Sequence, residues 1–139
     1  MLDFFLRNLQ PGGGALLLRQ LLERAAQGGQ PLRVLAPGGH LRRPLRAAGC
    51  QVHERVDHEP LDAVCATAWR SDLTQQLAGW ARLVRPGGVV VLVTPRGRPL
   101  RQVVCAAFLH AGLADPVQHT AGVAVLTSGR VPPPAEIPR

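Results

Sequence analysis

Cys50, His53 and His58 are spaced more like metal ligands than any other residues of this sequence. Residues 50–56 alternate, with Cys50, Val52 and Val56 on one side and Gln51, His53 and Arg55 on the other, which is the pattern of a half-exposed edge strand. On such a strand Cys50 and His53 point to opposite faces and cannot converge on one ion, so no metal site is expected. Cys65 belongs to an apolar run and Cys105 to the border of a helical apolar stripe, both positions of packing. Ser71 and Ser128 lack the Gly-x-Ser-x-Gly context of a hydrolase nucleophile. His110 and His119 have no carboxylate or cysteine partner nearby in sequence and suit a surface or a sheet edge. No catalytic residue is expected among them. Trp69 follows directly on the run that starts at Leu61, where open α/β sheets place ligands, though a hydrophobic cap on a loop needs a tryptophan there equally.

The punctuation of the chain shows which elements must position these groups. Residues 3–9 form a short apolar segment closed by Pro11-Gly12-Gly13-Gly14, and Leu17, Leu18, Leu21, Leu22 and Ala25 then recur at helical spacing up to Gly28-Gly29. Residues 32–36 suit a strand ended by Pro37-Gly38-Gly39. Leu41, Leu45 and Ala48 mark a helix up to Gly49, provided that Pro44 falls in its first turn. Residues 61–67 and 89–94 are nearly continuous apolar runs, interrupted in the first by Asp62, as strands buried on both faces are. Between them Ser71 is the expected helix N-cap, and Leu73, Leu77, Trp80 and Val84 form one stripe that Pro86-Gly87-Gly88 stops. Pro99 is expected in the first turn of a further helix whose apolar face is Leu100, Val103, Val104, Ala107, Phe108 and Ala111. Residues 117–120 and 123–127 suit two strands around Ala121-Gly122. The alternation predicts a three-layer α/β fold.

At 139 residues, 46% of them AVILMFWYC, the chain has the size and apolar content of one domain, expected over residues 1–130 with a disordered proline-rich tail over 131–139. All 16 basic residues are arginine, and the chain has neither lysine nor tyrosine. Schiff-base chemistry, a P-loop lysine and phenol chemistry are thereby excluded. A net charge of +7 raises nucleic acid as a partner, but the arginines are spread along the chain without interleaved aromatics, as on a solvated surface. No apolar run is long enough to cross a bilayer, and the leucine-rich stretch over 15–26 carries Arg19, Glu23 and Arg24, unlike a secretory signal. Three widely separated cysteines suit reduced thiols. An intracellular protein, cytoplasmic or nuclear, with no membrane partner is expected.

The stretch Leu61-Asp62-Ala63-Val64, the helix after it, and Ala81-Arg82-Leu83-Val84-Arg85-Pro86-Gly87-Gly88-Val89-Val90-Val91-Leu92 resemble the fourth strand, following helix and fifth strand of class I S-adenosylmethionine-dependent methyltransferases. The likeness extends over roughly half the chain, about residues 60–130, and includes the closing strand pair. It implies a shortened Rossmann-like (methyltransferase-like) sandwich, its sheet mostly parallel with a C-terminal antiparallel strand pair. The segment is also similar to the amino-terminal domain of anamorsin-type proteins, a methyltransferase-like module that does not behave as an enzyme, without their cysteine-rich tail.

The resemblance implies a glycine-rich loop with an acidic residue after the first strand, and a second acid ending the second strand to hold the ribose hydroxyls. Ala36-Pro37-Gly38-Gly39-His40 has adjacent glycines and no acid, and Glu54 or Asp57 would have to serve as the ribose acid. His58, Glu59 and Pro60, or a few more residues if the strand from Cys50 ends early, leave no room for the third strand and its helices, since a parallel crossover needs about a dozen residues. Either the strand from Cys50 ends near His53 and residues 54–60 return over at most roughly 25 Å, or its direction differs. The expected function is therefore that of a pseudo-enzyme without cofactor, a protein-binding or scaffold subunit. The alternative is a small active methyltransferase holding S-adenosylmethionine through Gly38, Gly39, Glu54 and Asp57, with Trp69 and Asp72 flanking the transfer site. An arginine-based nucleic-acid binder ranks third.

Overall fold

The computed structural model describes residues 32–38, 41–47, 50–53, 59–70, 72–97, 99–121 and 124–133. The amino-terminal apolar segment and amphipathic helix, Gly39, Glu54, Asp57, His58, Ser71 and residues 134–139 lie outside them. Among the described residues the elements run β1 (Arg33–Leu35), α1 (Arg42–Ala47), β2 (Gln51–His53), β3 (Leu61–Ala66), α2 (Leu73–Leu83), β4 (Val84–Pro95), α3 (Arg101–His110), β5 (Ala114–Ala121) and β6 (Ala124–Arg130). Pro44 does fall in the first turn of α1, where its missing N–H costs no helical bond. No helix among the described residues is long and apolar enough to cross a membrane.

The strands form one sheet in the order β2-β1-β3-β4-β6-β5. β2, β1, β3 and β4 are parallel, and β6 enters antiparallel between β4 and β5. One core lies on each face. Val64, Val90 and Leu92 point to the face covered by α2 and α3, where they meet Leu77, Trp80, Val104 and Phe108. Val34, Ala63, Cys65, Val91 and Val93 point to the other face, where Leu41 and Leu45 of α1 join them. Cys50 packs on this second core, whereas His53 is in register with Leu35 on the α2 face, so the two residues do point to opposite sides.

β2 runs parallel to β1 and ends at His53, level with Leu35, so its direction does not differ from the expected one. Leu35 in turn pairs with Val64, placing the start of β3 at Leu61 three residues back and one strand beyond β1. With strands about 4.8 Å apart and about 3.3 Å per residue, the end of β2 and the start of β3 lie about 14 Å apart. Residues 54–60 span that distance, with no length for a further strand and its helices.

Four local expectations are corrected. The N-cap of α2 is Asp72: its carboxylate Oδ1 accepts from the Gln75 amide at 3.1 Å, satisfying one of the first-turn donors. Pro86-Gly87-Gly88 does not stop α2, which ends at Leu83. Val84 is already extended, and the triplet lies inside β4 as a break in register between the Leu61–Val84 and Ala63–Val89 pairs. Gly87, at φ +84, follows a proline there, the combination that type II turns use. On α3 the buried face is narrower than the apolar pattern: Val104, Ala107 and Phe108 are buried, while Leu100 and Val103 are 59% and 53% exposed. Leu100 is the N-cap and Pro99 precedes it, so neither lies inside the first turn. Past β6, the Val131 amide donates to the Gly88 carbonyl at 2.9 Å and its carbonyl accepts from Gly87 at 2.8 Å, so pairing continues beyond residue 130.

Candidate functional site

The sequence reverses winding direction between β1 and β3. After β1 the chain moves outward to β2, and after β3 it moves the other way to β4. In open α/β sheets ligands settle outside the carboxyl ends of the strands at such a switch point. A cavity of about 400 Å³ lies there, lined by Pro37 and Gly38 after β1, by Ala68, Trp69 and Arg70 after β3, and by Gln76 and Trp80 of α2. Its volume is within the range of small-ligand sites. Trp69 is half-buried and Arg70 exposed, while Trp80 is 6% exposed. Gln76 uses its Oε1 to accept from the Arg70 amide at 3.2 Å, which fixes the Trp69-Arg70 segment against α2.

The two loops are tied to each other at their roots, beside the cavity. Thr67 donates its amide to the Pro37 carbonyl at 3.1 Å, extending the β1–β3 ladder past both strand ends. Gly38 sits at φ +96 against the Thr67 hydroxyl, with Ala68 Cβ 3.2 Å from the place its own Cβ would take. A glycine is needed for this closeness and this φ, but what approaches it is the neighbouring loop. Of the residues expected to hold S-adenosylmethionine, only Gly38 is among those described. Gly39, Glu54 and Asp57 are not. Asp72, expected beside a transfer site, is occupied as the α2 N-cap, whereas Trp69 does line the cavity.

Among the described residues lining the cavity there is no carboxylate to hold the methyl donor, and Glu54 and Asp57 lie outside the described residues. A sulfonium and a ribose diol call for acceptors in an opened crevice. Here the loops are tied together by the Thr67–Pro37 bond, and the charged side chain lining the cavity is a cation, Arg70. Trp80 and Gln76 were missed as cavity residues because the helical stripe explains Trp80 as core, and nothing in the spacing brings Gln76 to a loop.

Elsewhere the buried chemistry is structural. Asp62, which interrupts the β3 run, accepts from the Arg33 amide at 2.8 Å through Oδ2 and from Arg85 Nε at 2.7 Å through Oδ1. Burial pushes the Cys65 thiol well above its ordinary value, and burial, with a smaller contribution from the Asp62 charge, raises Cys50. Neither thiol is poised for nucleophilic attack, which needs the thiolate.

Solved structures share this architecture at low identity. A possible exported protein from Bordetella parapertussis matches with a TM-score of 0.64 at 14% identity, over 95% of this chain and 79% of its own. A SAM-dependent methyltransferase from Agrobacterium tumefaciens matches with a TM-score of 0.59 at 11% identity, over 84% of this chain and 61% of its own. The 16S rRNA N2 G1207 methyltransferase of T. thermophilus, solved with AdoMet and guanosine, matches with a TM-score of 0.52 at 17% identity, over 88% of this chain and 41% of its own. No protein-family model matches the sequence, and no curated protein matches it. The fold is methyltransferase-like, a mixed six-stranded α/β sheet of Rossmann type.

Proposed function

We propose that this chain is a methyltransferase-like pseudo-enzyme that works inside the cell as a protein-binding or scaffold subunit of a larger assembly. The observation that carries this reading is the rung between Thr67 and Pro37, which ties together the two loops at the switch point where a doubly wound sheet receives its cofactor. The short return from β2 to β3 supports it, since a third strand and its helices would form one wall of a donor pocket. The sequence likeness expected to anamorsin-type domains would supply a noncatalytic precedent for the same fold. Leu100, Val103 and Leu109, each more than half exposed on or beside α3, offer apolar surface to a partner.

Calorimetry with S-adenosylmethionine tests the reading. No heat of binding, or a Kd weaker than about 1 mM, is expected. Micromolar binding would overturn it in favour of a small active methyltransferase holding the donor through Gly38, Gly39 and Glu54 or Asp57. Purification from the native cell supplies the second arm: a stoichiometric protein partner is expected, and a lone monomer that binds the donor reverses the assignment.

A further inference from the structure

Charge is unevenly divided between the two ends of the sheet. At the end where the parallel strands begin stand Arg33, Arg46, Arg82, Arg85 and Arg130, together with three of the carboxylates among the described residues, Glu59, Asp62 and Asp115. All three carboxylates are paired there: Glu59 with Arg33 at 2.9 Å, Asp62 with Arg85 at 2.7 Å and Asp115 with Arg130 at 3.1 Å. At the opposite end, where the parallel strands finish, the topology brings together Arg42 and Arg43 at the start of α1, Arg70 after β3, Arg96 after β4 and Arg101 at the start of α3. The carboxylate among the described residues at this end is Asp72, engaged with the Gln75 amide. The ten arginines among the described residues divide evenly between the two ends, but the carboxylates do not, so among these residues the excess of arginine over carboxylate is larger at the second end, which is how an electrostatic footprint for a polyanion begins.

The tryptophan-lined cavity opens on that same face. Trp69 offers a half-buried indole, Trp80 a buried one in the core, and Arg70 and Gln76 line the cavity with a cation and an amide. Aromatic faces beside arginines are the means by which proteins hold unstacked bases while cations follow the backbone. At about 400 Å³ the cavity has room for a base. An acidic peptide would satisfy the arginines but would not call for indoles beside Arg70. We infer that this end of the molecule binds a single-stranded nucleic acid, one base entering the Trp69–Trp80 cavity and the phosphates running over Arg43, Arg70, Arg96 and Arg101. The inference goes beyond the proposed scaffold role and does not depend on whether the methyl donor binds.

Fluorescence anisotropy with a labelled oligothymidylate and a labelled oligouridylate of about 10 nucleotides tests it on the full chain. Binding is expected at about 50 mM salt, weakening by about tenfold or more at about 200 mM. Trp69→Ala is expected to weaken it about tenfold at constant salt, the loss of one stacked base, and Trp69→Phe to restore most of it. Arg70→Gln is expected to reduce the salt slope, while Arg82→Gln, at the other end, leaves binding unchanged. Melting temperatures of the variants within a few degrees of the parent exclude unfolding as the cause. Absence of binding at the lower salt would overturn the inference. So would heparin binding as tightly as the oligonucleotides with Trp69→Ala indifferent, since that is charge without a base site. Binding of a glutamate-rich peptide in place of either strand would overturn it as well. Donor calorimetry is read separately, so failure of this inference leaves the pseudo-enzyme reading standing, and the reverse.

Discussion

The amide of Thr67 donates to the carbonyl of Pro37 at 3.1 Å, with the Thr67 hydroxyl donating to the same oxygen at 3.5 Å, and these bonds join the two loops at the sheet's switch point. Their consequence is steric as well as electrostatic. With the loops drawn together, Gly38 has the Thr67 hydroxyl where a Cβ would stand, and it holds φ +96, which L side chains seldom adopt. Gly38→Ala is therefore expected to cost about 1–3 kcal/mol in urea unfolding, part of it backbone strain and part of it overlap. Thr67→Ala removes the hydroxyl but not the strain. The glycine substitution should consequently cost less in the Thr67→Ala background, by an interaction of about 0.5 kcal/mol or more. Strict additivity in that cycle means the loops are not in contact.

Asp62 governs the opposite end of the same two strands. Its two oxygens are divided between a backbone donor, the Arg33 amide, and a guanidinium, that of Arg85, with both Asp62 and Arg85 side chains only about a fifth exposed. Asp62→Ala leaves an amide and a cation without their acceptor in a partly dry position, and a cost of about 1–3 kcal/mol is expected. Asp62→Asn retains an acceptor for the amide and turns the other half into a donor facing Arg85. Its midpoint should fall between parent and Asp62→Ala. A loss of less than about 0.5 kcal/mol for Asp62→Ala would show the pair to be an ordinary surface contact.

Gly129 of β6 is held small by the helix above it. A Cβ there would lie 2.7 Å from Phe108 Cδ2 and 2.9 Å from Leu113 Cβ, and both neighbours are buried. Gly129→Ala should cost about 1–3 kcal/mol by overpacking. In a Phe108→Leu background, where the ring edge is gone, the same substitution should be milder. Equal costs in both backgrounds would mean that α3 shifts freely over the sheet.

What the residues reveal in advance follows the range of the forces involved. The runs around Val64 and Val91 are buried on both faces, and burial on both faces leaves a continuous apolar signature that no local context disguises. The short connection before Leu61 likewise fixes β2 as an edge strand, because seven residues cannot carry a further strand and its helices. Helix ends were less legible. A serine and an aspartate stand side by side at 71 and 72, and only the geometry shows that Asp72 takes the Gln75 amide. Pro86-Gly87-Gly88 has the composition of a helix stop, yet its place is settled by long-range pairing with Val131, which no window around residue 87 contains. The candidate site was half legible: Trp69 follows from its place after a central strand, whereas the gathering of Arg43, Arg70, Arg96 and Arg101 arises only when three separate strand ends are brought to one face. A lone charge inside an apolar strand, Asp62, did carry a usable signal, since such a group must find a cation on a neighbouring strand.

The last prediction rests on a simplicity of composition. With no lysine and no tyrosine in the chain, the thiols are the side chains whose ordinary titration lies in the mildly alkaline range, so alkaline stability reports on them with little interference. Cys65 is fully buried next to the last residue of β3, and desolvation raises its pKa far above the ordinary 9.0, with proximity to Cys50 adding to the shift. Above pH 9 the unfolded chain therefore releases this proton while the native one keeps it. The unfolded state then binds fewer protons, so unfolding free energy must fall as pH rises, from full stability below about pH 9, with a limiting slope of about 1.4 kcal/mol per pH unit for one thiol. The raised Cys50 adds to the slope in the same direction. Urea midpoints measured from pH 8 towards about pH 11 should decline in the parent and decline less steeply in Cys65→Ala, where only Cys50 still contributes, with a constant offset from the lost sulfur. A parent curve flat across that range, or a Cys65→Ala curve with the parent's slope, would show that the thiol ionises as readily in the fold as outside it.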